Sequence, residues 1–153
     1  MAVARRKVET PVGALVLTAE DDAIVRVTWD DVTAQDDTPL LRRAEEQLAA
    51  YFAGDLTRFD LSLRVRGSDF QRAVCDAMLA IPFGETLTYG DIAARLDAQP
   101  QAVGQACGGN PIPVIIPCHR VLSATGLGGF SARGGVETKV ALLRHEGAAG
   151  LLI

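Results

Sequence analysis

The chain of 153 residues is 48% hydrophobic and has a formal net charge of −4, which suits one globular domain or two small ones. The negative total argues against capture of a polyanion by bulk charge, and residues 68–153 are nearly neutral, with six basic and seven acidic side chains. No apolar stretch approaches the ~20 residues of a membrane span. Three cysteines without a CxxC pair and only two histidines argue against a zinc site. An odd number of cysteines and no secretion signal predict a cytoplasmic protein.

The first 66 residues predict a small α+β unit. The runs Gly13–Ala19 and Ala23–Trp29 are rich in β-formers and flank an acidic turn, which predicts a hairpin. Apolar residues at helical spacing predict a helix over Pro39–Phe52. The alternation of Phe59–Leu63 predicts a half-buried strand. No chemistry is evident in this unit, so we expect it to act as a scaffold.

Residues 67–153 predict a mainly helical unit. Four helices are expected, namely Asp69–Leu79 with Ser68 as N-cap, Tyr89–Leu96 with Thr88 as N-cap, a third from Pro100 to about Cys107, and Val136–Glu146 ending at Gly147. The second and third are short and joined by a tight turn, as in a helix-turn-helix. Many helical pairs that do not bind DNA share this pattern, so it does not by itself assign a DNA-binding role.

The segment Ile115–Val121 places a thiol, an imidazole and a guanidinium side by side, directly after an apolar run. A cysteine is a useful nucleophile only as the thiolate, and neighbouring cationic or hydrogen-bonding groups lower the pKa of a thiol. Adjacent residues of a straight strand point to opposite faces, which would separate Cys118 from His119. Pro117 predicts that the strand ends and the chain bends before them. The residues alone leave open whether Cys118 is reactive or a buried, inert thiol.

Several short segments of the second half stand in a recognisable order and spacing. They are Phe70-Gln71-Arg72-Ala73-Val74, Tyr89-Gly90-Asp91-Ile92-Ala93, Ala102-Val103-Gly104, Gly109-Asn110-Pro111, Ile116-Pro117-Cys118-His119-Arg120-Val121 and Gly129-Phe130-Ser131. Together they resemble the O6-alkylguanine-DNA alkyltransferase family. The resemblance implies an α+β fold, with a small ribonuclease H-like α/β domain over residues 1–66. A helical C-terminal domain with a winged-helix-like helix-turn-helix would follow over residues 67–153.

The resemblance also implies a function, which is direct reversal of DNA damage. A member of this family binds duplex DNA, rotates an O6-alkylguanine out of the stack and transfers the alkyl group irreversibly to its own cysteine. It needs no cofactor or metal, and we expect a monomer with no membrane partner. By this resemblance Cys118 is the nucleophile, His119 its base through a bridging water, and Glu146 the acid that orients His119. Without the family, Glu146 would be an ordinary carboxylate at a helix C-terminus.

Further residues take roles only through the resemblance. Asn110 would tie the recognition helix to the active-site turn, although Gly-Asn-Pro is also an ordinary turn. Tyr89 would crowd the target nucleotide's phosphate and donate to the guanine ring, whereas without the family it is a packing residue. Arg120 would brace the turn without a catalytic role. The remaining candidates for contact with DNA or the base are Cys107 as pocket wall, Val121, Phe130, Ser131 and Arg133.

Gln101 departs from the family pattern, because an intercalating arginine usually occupies this position. Glutamine can still fill the stack and hydrogen-bond the orphaned cytosine, but it lacks the charge and planar surface of a guanidinium. We therefore expect weaker DNA binding or base flipping. Three rival functions remain: a non-repairing alkyltransferase-like protein that binds lesions, a helix-turn-helix regulator and a cysteine hydrolase. Cys118 argues against the first, which usually lacks the nucleophile, and no oxyanion arrangement supports the third.

Overall fold

The computed structural model describes residues 2–30, 32–128 and 135–150. The chain divides into two compact units, Met1–Arg66 and Gly67–Ile153. Within the described ranges, no helix combines the length and the apolar character that crossing a bilayer requires.

A three-stranded antiparallel sheet forms the core of the first unit. Its strands, β1 (Val3–Thr10), β2 (Gly13–Glu20) and β3 (Ala23–Trp29), lie in chain order. The predicted hairpin is confirmed as β2 and β3, which Asp21 joins at a φ of 55°. Aspartate tolerates this left-handed conformation better than most residues. The sequence analysis did not predict β1, because only Val8 of its eight residues is buried and its apolar pattern is weak.

The helix α1 (Pro39–Phe52) packs on β1 and β2. Its predicted bounds are confirmed, and the Thr38 hydroxyl accepts the Leu41 amide at 3.2 Å as the N-cap. The buried side chains are spaced along one face of the helix, at Leu41, Ala44, Leu48 and Tyr51.

The strand predicted over Phe59–Leu63 is wrong. Only Leu63 bridges β3, opposite Ile24, through the two hydrogen bonds that the backbone of Ile24 makes with residues 62 and 64. The backbone of Asp60 instead pairs with the side chain of Gln47 on α1, at 2.8 and 3.0 Å. A helix side chain therefore satisfies the backbone groups that a neighbouring strand would have used.

Over residues 67–128 and 135–150, the second unit contains four α-helices and a two-stranded parallel sheet. These elements are α2 (Asp69–Leu79), β4 (Leu87–Thr88), α3 (Tyr89–Leu96), α4 (Pro100–Gly108), β5 (Val121–Leu122) and α5 (Val136–Glu146). The four predicted helices are confirmed. Ser68 caps α2, and Thr88 and Asp91 form a reciprocal capping box at α3. The pair α3 and α4 contact each other and α2, with Asp97 in the left-handed conformation between them.

The apolar run over residues 112–116 is buried, but it is a compact turn instead of the expected strand. The Ile116 amide donates to the Ile112 carbonyl at 2.9 Å, and Val114 has a φ of 73°. A β-branched residue rarely adopts this conformation, so the surrounding contacts must hold it. The bend predicted at Pro117 is present, since a 3₁₀ turn over Cys118–Arg120 follows it directly.

Candidate active site

The 3₁₀ turn Cys118–Arg120 buries three consecutive side chains, a thiol, an imidazole and a guanidinium. Cys118 is 8% exposed, His119 0% and Arg120 6%. Successive side chains of a 3₁₀ helix are separated by a third of a turn. The strict two-sided alternation of a strand therefore does not apply, and the geometrical objection to joint action of Cys118 and His119 is removed.

Glu146 lies at the last position of α5, and its carboxylate contacts the side chains of His119 and Arg120. His119 Nε2 lies 2.8 Å from Glu146 Oε2, and the guanidinium of Arg120 donates to both carboxylate oxygens, at 2.8 and 2.9 Å. The third nitrogen of Arg120 donates to the carbonyl of Ile81 at 2.6 Å. These contacts form a buried cluster of one carboxylate, one imidazole and one guanidinium.

The contacts of His119 define its tautomer. A carboxylate can only accept, so the hydrogen of the neutral ring lies on Nε2 and faces Glu146. Nδ1 is then the acceptor, and this buried atom has no hydrogen-bond partner among the described residues. Burial is the main cause that lowers the pKa of His119, with Arg120 and Lys139 acting in the same direction and Glu146 opposing them. The ring is therefore a neutral base at neutral pH.

In the protein alone, the side chain of Cys118 is a neutral thiol at neutral pH. Burial raises the pKa of this thiol to about 11, although a hydrogen bond with the side chain of Asn110 and the charge of Lys139 both lower it. The sequence left open whether Cys118 is reactive or buried and inert; in the protein alone, desolvation of the sulfur outweighs the neighbouring groups that lower its pKa. A base must remove the proton before the sulfur can react.

Asn110 connects the end of α4 with the turn that carries Cys118. Its side-chain nitrogen donates to the Ile116 carbonyl at 2.9 Å, and its side-chain oxygen accepts the Ile112 amide at 3.0 Å. The Ile116 carbonyl also accepts the Cys118 amide at 2.8 Å. One side chain thus organises the backbone on both sides of Pro113.

Lys139 is a buried residue that the sequence analysis missed. Its side chain is fully enclosed, and Nζ donates to the Val121 carbonyl at 2.7 Å and lies 5.9 Å from the ring centroid of Tyr89. Burial lowers the pKa of Lys139, whereas the charges of Cys118 and Cys107 would raise it. A signal was present in the sequence, since Lys139 shares the spacing of one helical face with Leu142, Leu143 and Glu146.

The structure brings some of the other candidate residues near this cluster. Tyr89 opens α3 and is half-buried, and a β-carbon at Gly128 would lie 2.9 Å from its hydroxyl oxygen. Val121 is fully buried and accepts from Lys139. Cys107 is buried on α4, and burial raises the pKa of this thiol to about 12. A thiol with this pKa is unreactive at neutral pH.

Other candidates lie apart from the cluster or outside the described residues. Gln101 is exposed in the first turn of α4. Phe130, Ser131 and Arg133 lie outside the described residues. Among the residues that are described, no group of three or more histidine, cysteine, aspartate or glutamate side chains could hold a metal ion.

Two family models match the chain in succession. Residues 3–65 match the ribonuclease-like domain of 6-O-methylguanine DNA methyltransferase, and residues 69–148 match the DNA binding domain of the same family. A methylated-DNA--protein-cysteine methyltransferase of Mycolicibacterium paratuberculosis is 42% identical over 151 residues, covering 92% of this chain and 90% of the relative. The constitutive methylated-DNA--protein-cysteine methyltransferase of Bacillus subtilis is 39% identical, covering 90% of this chain and 92% of the relative.

Solved structures have the same fold. The Mycobacterium tuberculosis OGT in complex with DNA is 42% identical and superposes with a TM-score of 0.85, covering 94% of this chain and 92% of the other. The O6-methylguanine DNA methyltransferase of Methanococcus jannaschii is 31% identical with a TM-score of 0.68, covering 97% of this chain and 96% of the other.

Proposed function

Because the chain belongs to the 6-O-methylguanine DNA methyltransferase family, we propose that it repairs O6-alkylguanine, mainly O6-methylguanine, in double-stranded DNA. It transfers the alkyl group to Cys118 in a single, irreversible turnover and requires no cofactor. The observation that carries this proposal is the buried pair of His119 and Glu146 next to Cys118, with Nδ1 of His119 left as an acceptor.

The transfer exchanges one bond for another. The sulfur of Cys118 attacks the alkyl carbon, so that an S–C bond forms while the bond from carbon to guanine O6 breaks. His119 takes the thiol proton at Nδ1 through a bridging water, and Tyr89 gives a proton to the leaving guanine, which regains a hydrogen on its ring. The proton held by His119 then returns to the tyrosinate through solvent, so that both side chains end neutral. Alkyl transfer and proton transfer together leave an unmodified guanine and a thioether, and no water is consumed.

Two residues favour the thiolate during this step. The side chain of Asn110 hydrogen-bonds Cys118 and the ammonium of Lys139 attracts it, and both lower the pKa of the thiol against the effect of burial. The contribution of each grows as negative charge develops on the sulfur. Such fixed groups stabilise a charge without reorganising at the moment of reaction.

The DNA and base contacts are proposed from the family pattern. Val121 and Ser131 line the guanine site, Cys107 and Phe130 form its wall and rim, and Arg133 contacts a phosphate. Gln101, exposed at the start of α4, fills the gap left by the extruded base. Residues 1–66 serve as a scaffold and residues 67–153 as the DNA-binding alkyltransferase domain. We place the protein in the cytoplasm, where its three free cysteines stay reduced, and expect it to act as a monomer.

The test is to follow a labelled methyl group. The protein is incubated with duplex DNA that contains O6-[¹⁴C]methylguanine, and the label is located by peptide mapping and mass spectrometry. We expect one methyl group per protein, on the peptide containing Cys118. Cys118→Ser should retain DNA binding and lose transfer, whereas the matched control Cys75→Ser should transfer normally. Label that remains on DNA bound tightly by the wild-type protein would instead indicate a non-repairing lesion-binding protein.

A further inference from the structure

The Arg120 guanidinium occupies a position that stability alone does not explain. It is 6% exposed and places two nitrogens on the two oxygens of Glu146, at 2.8 and 2.9 Å. Burying an ion pair costs desolvation that often cancels the attraction between the charges, so such a pair is weak evidence of a stabilising role. Its position beside the carboxylate that holds His119 suggests an effect on the proposed base.

The loop after α2 fixes this guanidinium from the other side. The Ile81 carbonyl accepts the third nitrogen of Arg120 at 2.6 Å, and the ring of Phe83 lies under the guanidinium at 5.9 Å. The Gly84 amide reaches Oε1 of Glu146 at 3.5 Å. Arg120 therefore cannot move away from the carboxylate without breaking contacts to a second segment.

Oε2 of Glu146 is shared between the two side chains. It lies 2.8 Å from His119 Nε2 and accepts Arg120 Nη2 at 2.9 Å. A carboxylate whose charge is compensated by a guanidinium attracts the proton of an imidazolium less strongly than an uncompensated one. We propose that Arg120 is a positioning residue that keeps His119 neutral, and hence able to accept the proton of Cys118, by compensating the charge of Glu146. This inference rests on the proposed function of the site.

The surrounding charges are consistent with this assignment. His119 interacts with the carboxylate of Glu146 and the charge of Lys139 from α5, and with the charge of Arg120 from its own turn, in which Cys118 is the preceding residue. The α2 helix contributes Cys75, which raises the pKa of Cys118. Among the described residues, loss of Arg120 would leave Lys139 as the cation that acts on His119, and Lys139 donates to the Val121 carbonyl.

The first measurement observes the imidazole directly, without any alkyl transfer. The chain has only two histidines, so ¹³Cε1-histidine labelling gives two resonances, and a His145→Gln variant assigns them. The measured quantity is the pH midpoint at which the pair formed by His119 and Glu146 takes up a proton. In Arg120→Met, we expect this midpoint to rise by about one to three pH units. The conservative Arg120→Lys should restore most of the wild-type midpoint. Arg144→Met is the matched control, because Arg144 is an exposed arginine on α5, the helix that carries Glu146. The His119 midpoint of this variant should match that of the wild type.

The second measurement is the pH profile of single-turnover transfer from O6-methylguanine DNA. The acid limb should move upward by the same interval in Arg120→Met, because a protonated pair cannot take the thiol proton. Unchanged histidine titration in a folded Arg120→Met protein would overturn the inference. If Arg120→Met does not fold, Arg120→Gln decides the question, because glutamine can still donate to Glu146 but carries no charge: its His119 midpoint should move upward, and an unchanged midpoint would overturn the inference. Failure of the wild-type protein to transfer methyl at any pH would refute the proposed function and leave the titration result standing.

Discussion

Replacement of Asn110 should separate the stability of the site from its chemistry. Its side chain makes two hydrogen bonds with backbone groups of Ile112 and Ile116, both of which are fully buried. Asn110→Ala removes both bonds. Asn110→Asp keeps an acceptor for the Ile112 amide, but it loses the donor group and sets a carboxylate oxygen against the Ile116 carbonyl.

The two hydrogen bonds should contribute unequally to the free energy of unfolding. The described contacts give the Ile112 amide no acceptor other than Asn110, so its loss should cost about 1–3 kcal/mol. The Ile116 carbonyl keeps the Cys118 amide at 2.8 Å, so losing one of its two donors should cost only about 1 kcal/mol. We therefore expect Asn110→Ala to destabilise residues 67–153 by about 2–4 kcal/mol. Protection of the Ile112 amide against hydrogen exchange should fall in Asn110→Ala more than in Asn110→Asp, which keeps an acceptor for that amide.

The rates of transfer should not follow this order. Both variants lose the donor that lowers the pKa of Cys118, and the carboxylate of Asn110→Asp raises it further through its negative charge. We expect both to slow transfer at neutral pH by at least about tenfold, which corresponds to one pH unit in the pKa.

Hydrogen exchange of the Ile112 amide and urea unfolding followed by circular dichroism measure the stability. The only tryptophan, Trp29, lies in the first unit, so its fluorescence reports on residues 1–66 and serves as the internal control. Equal loss of protection of the Ile112 amide in the two variants would refute the assignment of the larger contribution to its hydrogen bond with Asn110. Wild-type transfer by Asn110→Asp would refute the electrostatic role of the Asn110 side chain.

Three further substitutions test other parts of the site. Lys139→Met should slow single-turnover transfer about tenfold, because it removes a charge that lowers the pKa of Cys118; an unchanged rate would contradict that role. Gly128→Ala should slow transfer by displacing Tyr89, since the new β-carbon would lie 2.9 Å from the Tyr89 hydroxyl oxygen and Gly128 has a φ of +74°. Transfer at the wild-type rate would show that Tyr89 need not hold this position. Gln101→Arg should preserve or increase transfer from duplex DNA, and Gln101→Ala should reduce it, whereas an unaffected Gln101→Ala would refute its assignment to the flipped-base gap.

The helices could be predicted from sequence because their ends are local. Thr38, Ser68 and Thr88 each accept an amide three residues ahead through the hydroxyl group, a pattern that sequence spacing reveals. Local sequence could not show that residues 59–63 do not form a strand. Their conformation depends on Gln47, a residue on another element whose side chain satisfies the backbone of Asp60.

The candidate site shows the same division between local and distant information. The bend at Pro117 follows from the residue itself, whereas the contact of His119 with Glu146, 27 residues apart, was expected only through a resemblance. Burial of Cys118 could not be weighed against the effect of its neighbours without the fold, which is why the sequence left the reactivity of this thiol open. Lys139 was missed because a lysine inside an apolar stripe is usually placed at the edge of a helix face.

A last prediction concerns stability at alkaline pH. Burial raises the pKa of Cys118 from 9.0 to about 11 and that of Cys107 from 9.0 to about 12. Thiols in the unfolded chain lose their protons near pH 9, so the folded state binds more protons above that pH and its stability falls as the pH rises. The stabilisation is complete below pH 9, and by pH 11 the two thiols should lower the free energy of unfolding by on the order of 5 kcal/mol.

The lowered pKa of Lys139 acts in the opposite sense, because the folded state releases that proton before the unfolded chain does. Urea unfolding between pH 8 and 11 measures the sum, and Cys107→Ala should remove about half of the decline attributed to the thiols. Stability that rises between pH 8 and 9 in the wild-type protein, and does not rise in Cys118→Ala, would mean that the folded state already holds Cys118 as a thiolate. In that case His119 would have no proton to accept from Cys118, and transfer would proceed from a preformed thiolate. A decline above pH 9 that Cys118→Ala reduces by about half supports a nucleophile that stays a neutral thiol until a base removes the proton.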